Sequence, residues 1–161
     1  REIGMSEDEA NLLKQAAPMH DIGKIATPDA VLLKPGKLDA DEMEVMKAHP
    51  SVGYDILHGS SRPILSSAAV ISQQHHEKFD GSGYPDGKKG EEIHIFARIV
   101  AVADVFDALT HKRCYKEAWP IEQVTDYLNE SSGSHLDPTI VTAMLSILDK
   151  AIEINNAYTD G

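Results

Sequence analysis

The chain has 161 residues, of which 42% are hydrophobic, and a formal net charge of −11. That length and apolar content suit one domain with its own core, and no apolar run approaches the length of a membrane span. The acidity excludes a general binder of duplex nucleic acid, but it allows a small phosphorylated ligand wherever metals or local basic residues reverse the sign.

The pattern along the chain is helical. Ser6 and Glu9 are spaced as a capping box, and Ala10, Leu13, Ala16 and Ala17 then recur at helical intervals. This predicts a helix running to about His20–Asp21 and stopping near Gly23. "TPDAVLLKPGK" reads as a short helical turn and a Pro-Gly turn. Asp39 and Glu42 form a second capping pair, Met43 and Met46 follow, and Pro50 is expected to end or bend that element. Val52, Ile56 and Leu57 suggest a short helix, and Pro63 begins another through Leu65, Ala68, Ala69 and Ser72 to His76. Lys78 to His94 is a loop rich in glycine and charge. "FARIVAVADVFDALT" places Phe96, Ile99, Ala103 and Phe106 on one face, with Val100 beside them. Asp137-Pro138 is an N-cap with a first-turn proline for the final helix. Nothing alternates with period two, so the expected fold is an all-α bundle with one long loop, a single domain over residues 1–161 with its core at about 6–150.

Cys114 is the single cysteine, which forbids an internal disulfide and suits a reducing compartment. No signal peptide opens the chain, and it begins at Arg1 without an initiator methionine; it reads as a fragment of something longer.

The chemistry lies in the histidines and in one aspartate. His20 sits beside Asp21, His49 precedes Pro50, and His75 and His76 are adjacent. Asp104 lies among Ile99, Val100, Val102, Val105 and Phe106, where an ionised carboxylate is costly without a cation or donors. Imidazole nitrogen and carboxylate oxygen together suit Zn, Mn or Fe, and bridging carboxylates hold two ions close enough for hydrolysis. Each piece has a plainer reading. A His-Asp pair is usually a surface hydrogen bond, a histidine before proline is usually a loop residue, and Asp104 could pair with Arg98. Asp107 fits a helix surface, and His58, His94, His111 and His135 read as structural. The combination favours a metal site.

"HDIGK" (His20–Lys24), "HP" (His49–Pro50), "HHEKFDGSGYPDG" (His75–Gly87) and "ARIVAVADVFDALT" (Ala97–Thr110) together resemble the HD-GYP family. That family comprises bacterial cyclic di-GMP phosphodiesterases within the HD metal-dependent phosphohydrolase superfamily. The likeness extends to "GSHLDP" near the C-terminus. It implies an HD-type helical bundle with a long Gly-rich loop between two ligand-bearing helices. It implies His20, Asp21, His49, His75, His76 and Asp104 as ligands of two or three divalent ions, iron or manganese, with Asp21 bridging. Lys24 matches the lysine on the scissile phosphate, and Arg113 and Lys116 match basic residues that hold substrate phosphate. Asp80, Gly81, Gly83, Tyr84 and Pro85 match the signature loop, in which glycines turn the chain after the histidine pair. The implied reaction opens cyclic di-GMP to the linear dinucleotide or to GMP, in the bacterial cytoplasm. Implied partners are diguanylate cyclase domains, docked through the Gly-Tyr-Pro loop, and an upstream receiver or sensor domain.

Three features depart from the family pattern. The family carries a further histidine ligand upstream of "HDIGK", whereas no histidine precedes His20, so the site is expected to lack one ligand. Cys114 stands where proline is common, and His111 where a small polar residue is expected. The rival reading is a module that binds cyclic di-GMP or docks a cyclase without cleaving; a third is a phosphohydrolase for another nucleotide. Keeping six metal-type residues favours the enzyme, because a binder has no need of them.

Overall fold

In the computed structural model, which describes residues 2–112 and 116–159, the chain is helical, and no strand occurs among the described residues. Ser6 starts α1 (Glu7–Ala16): its hydroxyl accepts from the Glu9 amide, and the Glu9 carboxylate accepts from the Ser6 amide at 2.9 Å. The helix ends earlier than its apolar spacing suggests. Pro18 has no amide hydrogen, and its ring crowds the preceding turn. The chain therefore tightens into a 3-10 turn at Ala17–Met19, passes His20 and Asp21, and forms a second 3-10 turn at Ile22–Ala26. His20 and Asp21 sit in the joint between two tight turns, not on the end of α1.

Asp39 caps α3 (Ala40–Met46) reciprocally with Glu42, after the single-turn α2 (Asp29–Leu32). Pro50 does not end α3, which has already stopped at Met46; it stands in the first turn of α4 (His49–Leu57), where a missing N–H costs nothing. His49 is thereby a helical residue with a fixed direction. α5 (Pro63–Gln74) delivers His75 at its C-cap, and the loop that follows leads to α6 (Ile95–Thr110). α7 (Ile121–Ser131) and α8 (Pro138–Ser146) come next, with Asp137 accepting from the Thr139 amide at 2.8 Å. α8 is not the final helix, because α9 (Leu148–Thr159) follows it.

α6 is the axis of the fold, and it is buried on two sides. Phe96 and Val100 pack with Ala16, Leu57, Ala68, Ala69 and Ile71 of α1, α4 and α5. Ala101, Val102, Phe106 and Leu109 pack with Val124, Leu128, Leu136, Ile140 and Val141. A single face through Phe96, Ile99, Ala103 and Phe106 is thus an incomplete description, and Ala103 is exposed. A helix that serves two cores loses the narrow stripe on which such a reading depends.

The segments that carry the histidines touch backbone to backbone. A Cβ on Gly23 would stand 1.9 Å from the His49 carbonyl oxygen, and one on Gly53 would stand 2.0 Å from Ser72 Oγ. The second 3-10 turn, α4 and α5 can meet this closely only because both positions are glycine. Gly53→Ala is expected to lower unfolding stability by about 1–3 kcal/mol, the usual cost of overpacking. Ser72→Ala on that background should recover part of the loss, because the severe clash is with the hydroxyl. Denaturant unfolding of the two variants checks this, and an unchanged midpoint for Gly53→Ala would contradict the packing argument.

Candidate metal centre

Asp21 lies at the middle of the cluster. Its Oδ1 is 3.2 Å from His49 Nε2 and 3.5 Å from His75 Nε2. Its Oδ2 is 3.2 Å from His20 Nε2 and 3.1 Å from Lys24 Nζ. Asp104, one face of α6, brings its Oδ2 to 3.4 Å from His20 Nε2. Two sets of ligand atoms result, each within 4.8 Å: Asp21, His49, His75 and His76 form one, and His20, His75 and Asp104 form the other. His75 belongs to both, and Asp21 reaches from the first set to His20 in the second.

The donor set can be tested for its fit to metal ions. His20 Nδ1 is 2.8 Å from the Ala17 carbonyl, His49 Nδ1 2.7 Å from the Met46 carbonyl, and His75 Nδ1 2.8 Å from the Ser72 carbonyl. In each case the acceptor is three residues back, so the local turn sets the tautomer. A carbonyl can only accept, so each Nδ1 carries a hydrogen, which leaves Nε2 as the atom each ring can offer to a metal. The Nε2 atoms of His49 and His75 stand 3.3 Å apart. Lone pairs that face one another and a carboxylate repel, whereas a cation among them makes the same atoms ligands. The residues fit divalent ions.

The charges point the same way. Asp21 raises the His20 pKa to about 9, against the opposing effect of burial and with help from Asp104. Burial pushes the Asp21 carboxyl up, but the hydrogen bond and charge of His20 hold it well below the usual carboxylate range. Burial raises the Asp104 carboxyl despite the pull of His20 and His75, with Asp21 and Asp107 adding repulsion. Two carboxylates share one imidazolium, and the second is left short of positive charge. His76 is held neutral, lowered to about 3 by burial and then by His75 and His49.

The loop after His76 is tied to the site by backbone and side chain. Tyr84 stacks on the His76 ring, with centroids 5.0 Å apart and planes 14° from parallel. Lys47 Nζ lies 5.4 Å from the Tyr84 ring centroid. Gly83 packs so tightly that a Cβ would stand 2.3 Å from the Lys78 amide nitrogen. The Asp80 carboxylate accepts from the Ser82 amide and hydroxyl, and Gly81 turns the chain at φ +88. Tyr84-Pro85 is a cis peptide. Glu77, only 2% exposed, accepts from the amides of Asp86 at 2.7 Å and Lys88 at 3.0 Å. Gln74 accepts from the His94 amide at 2.7 Å.

The structure brings His20, Asp21, Lys24, His49, His75, His76 and Asp104 together, with Tyr84 against them. Lys116 Nζ lies 4.9 Å from the Trp119 ring centroid, and Arg113 and Cys114 lie outside the described residues. Arg98 pairs with Asp137 instead of Asp104. His94 caps α6 by accepting from the Phe96 amide, His58 stacks on Tyr54, and His111 pairs with Asp107 at 3.0 Å. Glu77, Gln74 and Lys47 carry no sequence signal of their roles. An acid directly after two histidines reads as a ligand or a surface charge, and only the return path of the loop shows what it holds.

The family model described as "HD domain" matches residues 1–140. The chain belongs to this family and is of the HD-GYP type. It is 55% identical over 144 residues to the cyclic di-GMP phosphodiesterase response regulator RpfG of Xanthomonas campestris, covering 89% of this chain and 38% of that protein. It is 48% identical to a cyclic di-GMP phosphodiesterase of Thermotoga maritima, covering 98% of this chain and 42% of that protein. It is 46% identical to the 3'3'-cGAMP-specific phosphodiesterase 2 of Vibrio cholerae, covering 98% of this chain and 30% of that protein. The chain thus spans less than half the length of these relatives. A solved structure of a cyclic GMP-AMP specific phosphodiesterase from Vibrio cholerae shares the fold, with a TM-score of 0.67 and 18% identity, covering 96% of this chain and 44% of that one. No helix among the described residues is long and apolar enough to cross a membrane.

Two outcomes follow from this geometry. Without metal, His20 keeps its proton at neutral pH, since its pKa is raised to about 9. Its raised pKa adds to metal-free stability below pH about 6.5, and that contribution fades as pH rises through about 9. Divalent metal added at pH 7 should therefore release protons, measurable by calorimetry in buffers of different ionisation enthalpy; heats independent of the buffer would contradict it. Separately, Glu77→Ala should cost about 2–4 kcal/mol, because two amides lose a charged acceptor in a buried place. Hydrogen exchange should show the loss in residues 78–94 first, and a uniform loss over all helices would count against a loop-specific role.

Proposed function

We propose that this domain is a metal-dependent phosphodiesterase that hydrolyses cyclic di-GMP. The observation that carries the reading is the pair of adjoining ligand sets, joined by His75 and Asp21, with the Lys24 ammonium on the same carboxylate. A module that only binds has no use for paired cation sites with a lysine beside them. The names of the relatives at 55% and 48% identity support cyclic di-GMP as substrate. The relative at 46% identity supports 3'3'-cGAMP as the second reading, since the two molecules differ in one base.

His20, Asp21, His49, His75, His76 and Asp104 would hold the ions, with iron or manganese proposed from the family resemblance and the mixed nitrogen and oxygen donors. When bound, paired divalent ions supply a water nucleophile at neutral pH and offset charge on the phosphoryl oxygens. The rest is the work of the chain. The carbonyls of Ala17, Met46 and Ser72 fix three imidazoles with Nε2 inward. Tyr84 holds the plane of His76, and burial of His49 and His75 keeps competing water from their rings. Lys24, half-exposed beside Asp21, is placed to put a positive charge on the phosphodiester as negative charge builds there.

Purified protein loaded with iron or manganese, incubated with each cyclic dinucleotide and assayed for linear dinucleotide and GMP, tests the proposal. Metal-bound protein that retains both substrates uncleaved would leave only the binding module. Lys24→Ala should keep its metal, measured by elemental analysis, and lose about 10²–10³-fold in kcat, the scale of removing one charge-stabilising donor. Loss of metal from that variant would instead make Lys24 a support of Asp21.

A further inference from the structure

Burial divides the metal centre into a floor and a mouth. His49 and His75 are 2% and 3% exposed, whereas the side chains of Asp21 and Lys24 are each 37% exposed. Lys47 stands beside that mouth. It follows the last residue of α3 and lies two residues before His49. The turn that fixes the His49 ring through the Met46 carbonyl therefore fixes the root of Lys47 as well. Its Nζ is 5.4 Å from the centroid of the Tyr84 ring, which itself stacks on the His76 ring at 5.0 Å. Burial and the charge of Asp21 both push the Tyr84 phenol up, so the ring lies within the field of the centre. One aromatic ring thus carries an ammonium and touches a metal-type ligand.

That ammonium is lightly held. Its carboxylate partner among the described residues is Glu44, at 3.4 Å, and the Glu44 side chain is 76% exposed. An exposed pair of this kind contributes little and gives way to a stronger anion. Lys24 differs, because its Nζ lies 3.1 Å from Asp21, at the centre itself. A cyclic dinucleotide carries two phosphodiesters in one ring, a sugar apart. The ligand sets and Lys24 account for the one that is cleaved. The other brings a second negative charge to a chain whose formal net charge is −11. A cation outside the ligand sets, seated on an aromatic ring, is suited to meet that charge.

We propose that Lys47 is a further substrate-binding residue, whose ammonium on Tyr84 holds the phosphate that is not being cleaved. It acts in addition to Arg113 and Lys116 of the family pattern. The inference rests on the phosphodiesterase reading and deepens it, since it makes the site favour a diester that carries a second phosphate.

The test compares KM for cyclic di-GMP with KM for bis(p-nitrophenyl) phosphate, a diester without a second phosphate. The proteins are metal-loaded wild type, Lys47→Met and Lys47→Arg. Lys47→Met keeps an apolar stem and removes the charge. It should raise KM for cyclic di-GMP, relative to KM for the simple diester, by about 5-fold, the scale of one ion pair near water. Lys47→Arg keeps the charge and its seat on the ring, and should restore the wild-type ratio. Added salt should weaken cyclic di-GMP binding less in Lys47→Met than in the wild type. A wild-type ratio in Lys47→Met would overturn the proposal. So would an equal rise for both substrates with lower metal content by elemental analysis, since Lys47 would then support the centre through Tyr84 and His76. A wild type that cleaves the simple diester but not cyclic di-GMP would overturn the substrate reading instead. Calorimetric binding of cyclic di-GMP to wild type and Lys47→Met then decides the assignment: weaker binding by the variant supports it, and equal or absent binding overturns it.

Discussion

Backbone contact between the second 3-10 turn and α4 sets the whole site. With no side chain on Gly23 or Gly53, the turn that carries Asp21 lies directly on the helix that starts with His49, and that helix lies on α5, which ends at His75. The ligand atoms meet within 4.8 Å because their main chains touch, not because long side chains reach across a cleft. Imidazole and aspartate are short and stiff, so a centre built from them tolerates little spread in the backbone. The rings of His20, His49 and His75 are each fixed again by a carbonyl three residues back.

The same logic explains what could be read in the sequence and what could not. Capping boxes at Ser6 and Asp39, the proline starts at Pro63 and Pro138 and the Gly-rich loop are local signals, and the helices they mark begin where the spacing puts them. The metal-type residues announce themselves by type and by adjacency to helix ends. The close approach of Gly23 to His49 is a long-range packing fact, and a glycine inside "HDIGK" reads as a helix stop instead. Pro18 was the local signal for the early end of α1, outweighed in the periodicity by Leu13, Ala16 and Ala17. α9 starts at Leu148, separated by one residue from α8, which ends at Ser146, with no glycine or proline between them, so in the sequence the two read as one final helix.

The loop from Lys78 to His94 is glycine-rich yet not loose in its attachments. Glu77 and Gln74 hold its return path through three amides, Gly83 presses on the backbone next to His76, and Tyr84 covers the His76 ring. Each glycine has a separate duty. Gly81 takes a positive φ that other residues rarely adopt, whereas Gly83 is small because the chain beside it leaves no space. A partner that docked on this loop would press on Tyr84, and through its ring on His76, so the loop is a physical route from surface to ligand.

An acidic protein that handles an anionic substrate must reverse its own sign where the two meet. The chain carries a formal −11, and its site concentrates Asp21 and Asp104. Two divalent ions held there would exceed those two carboxylates in charge, and Lys24 would add to the excess. Without the ions, the His20 proton and Lys24 do no more than balance the two carboxylates among the described residues. On the proposed reading, affinity for a phosphodiester would therefore rise with metal occupancy before any chemistry. Discrimination between substrates cannot come from that centre, because every phosphodiester offers it the same charge. It has to come from groups that meet the rest of the molecule.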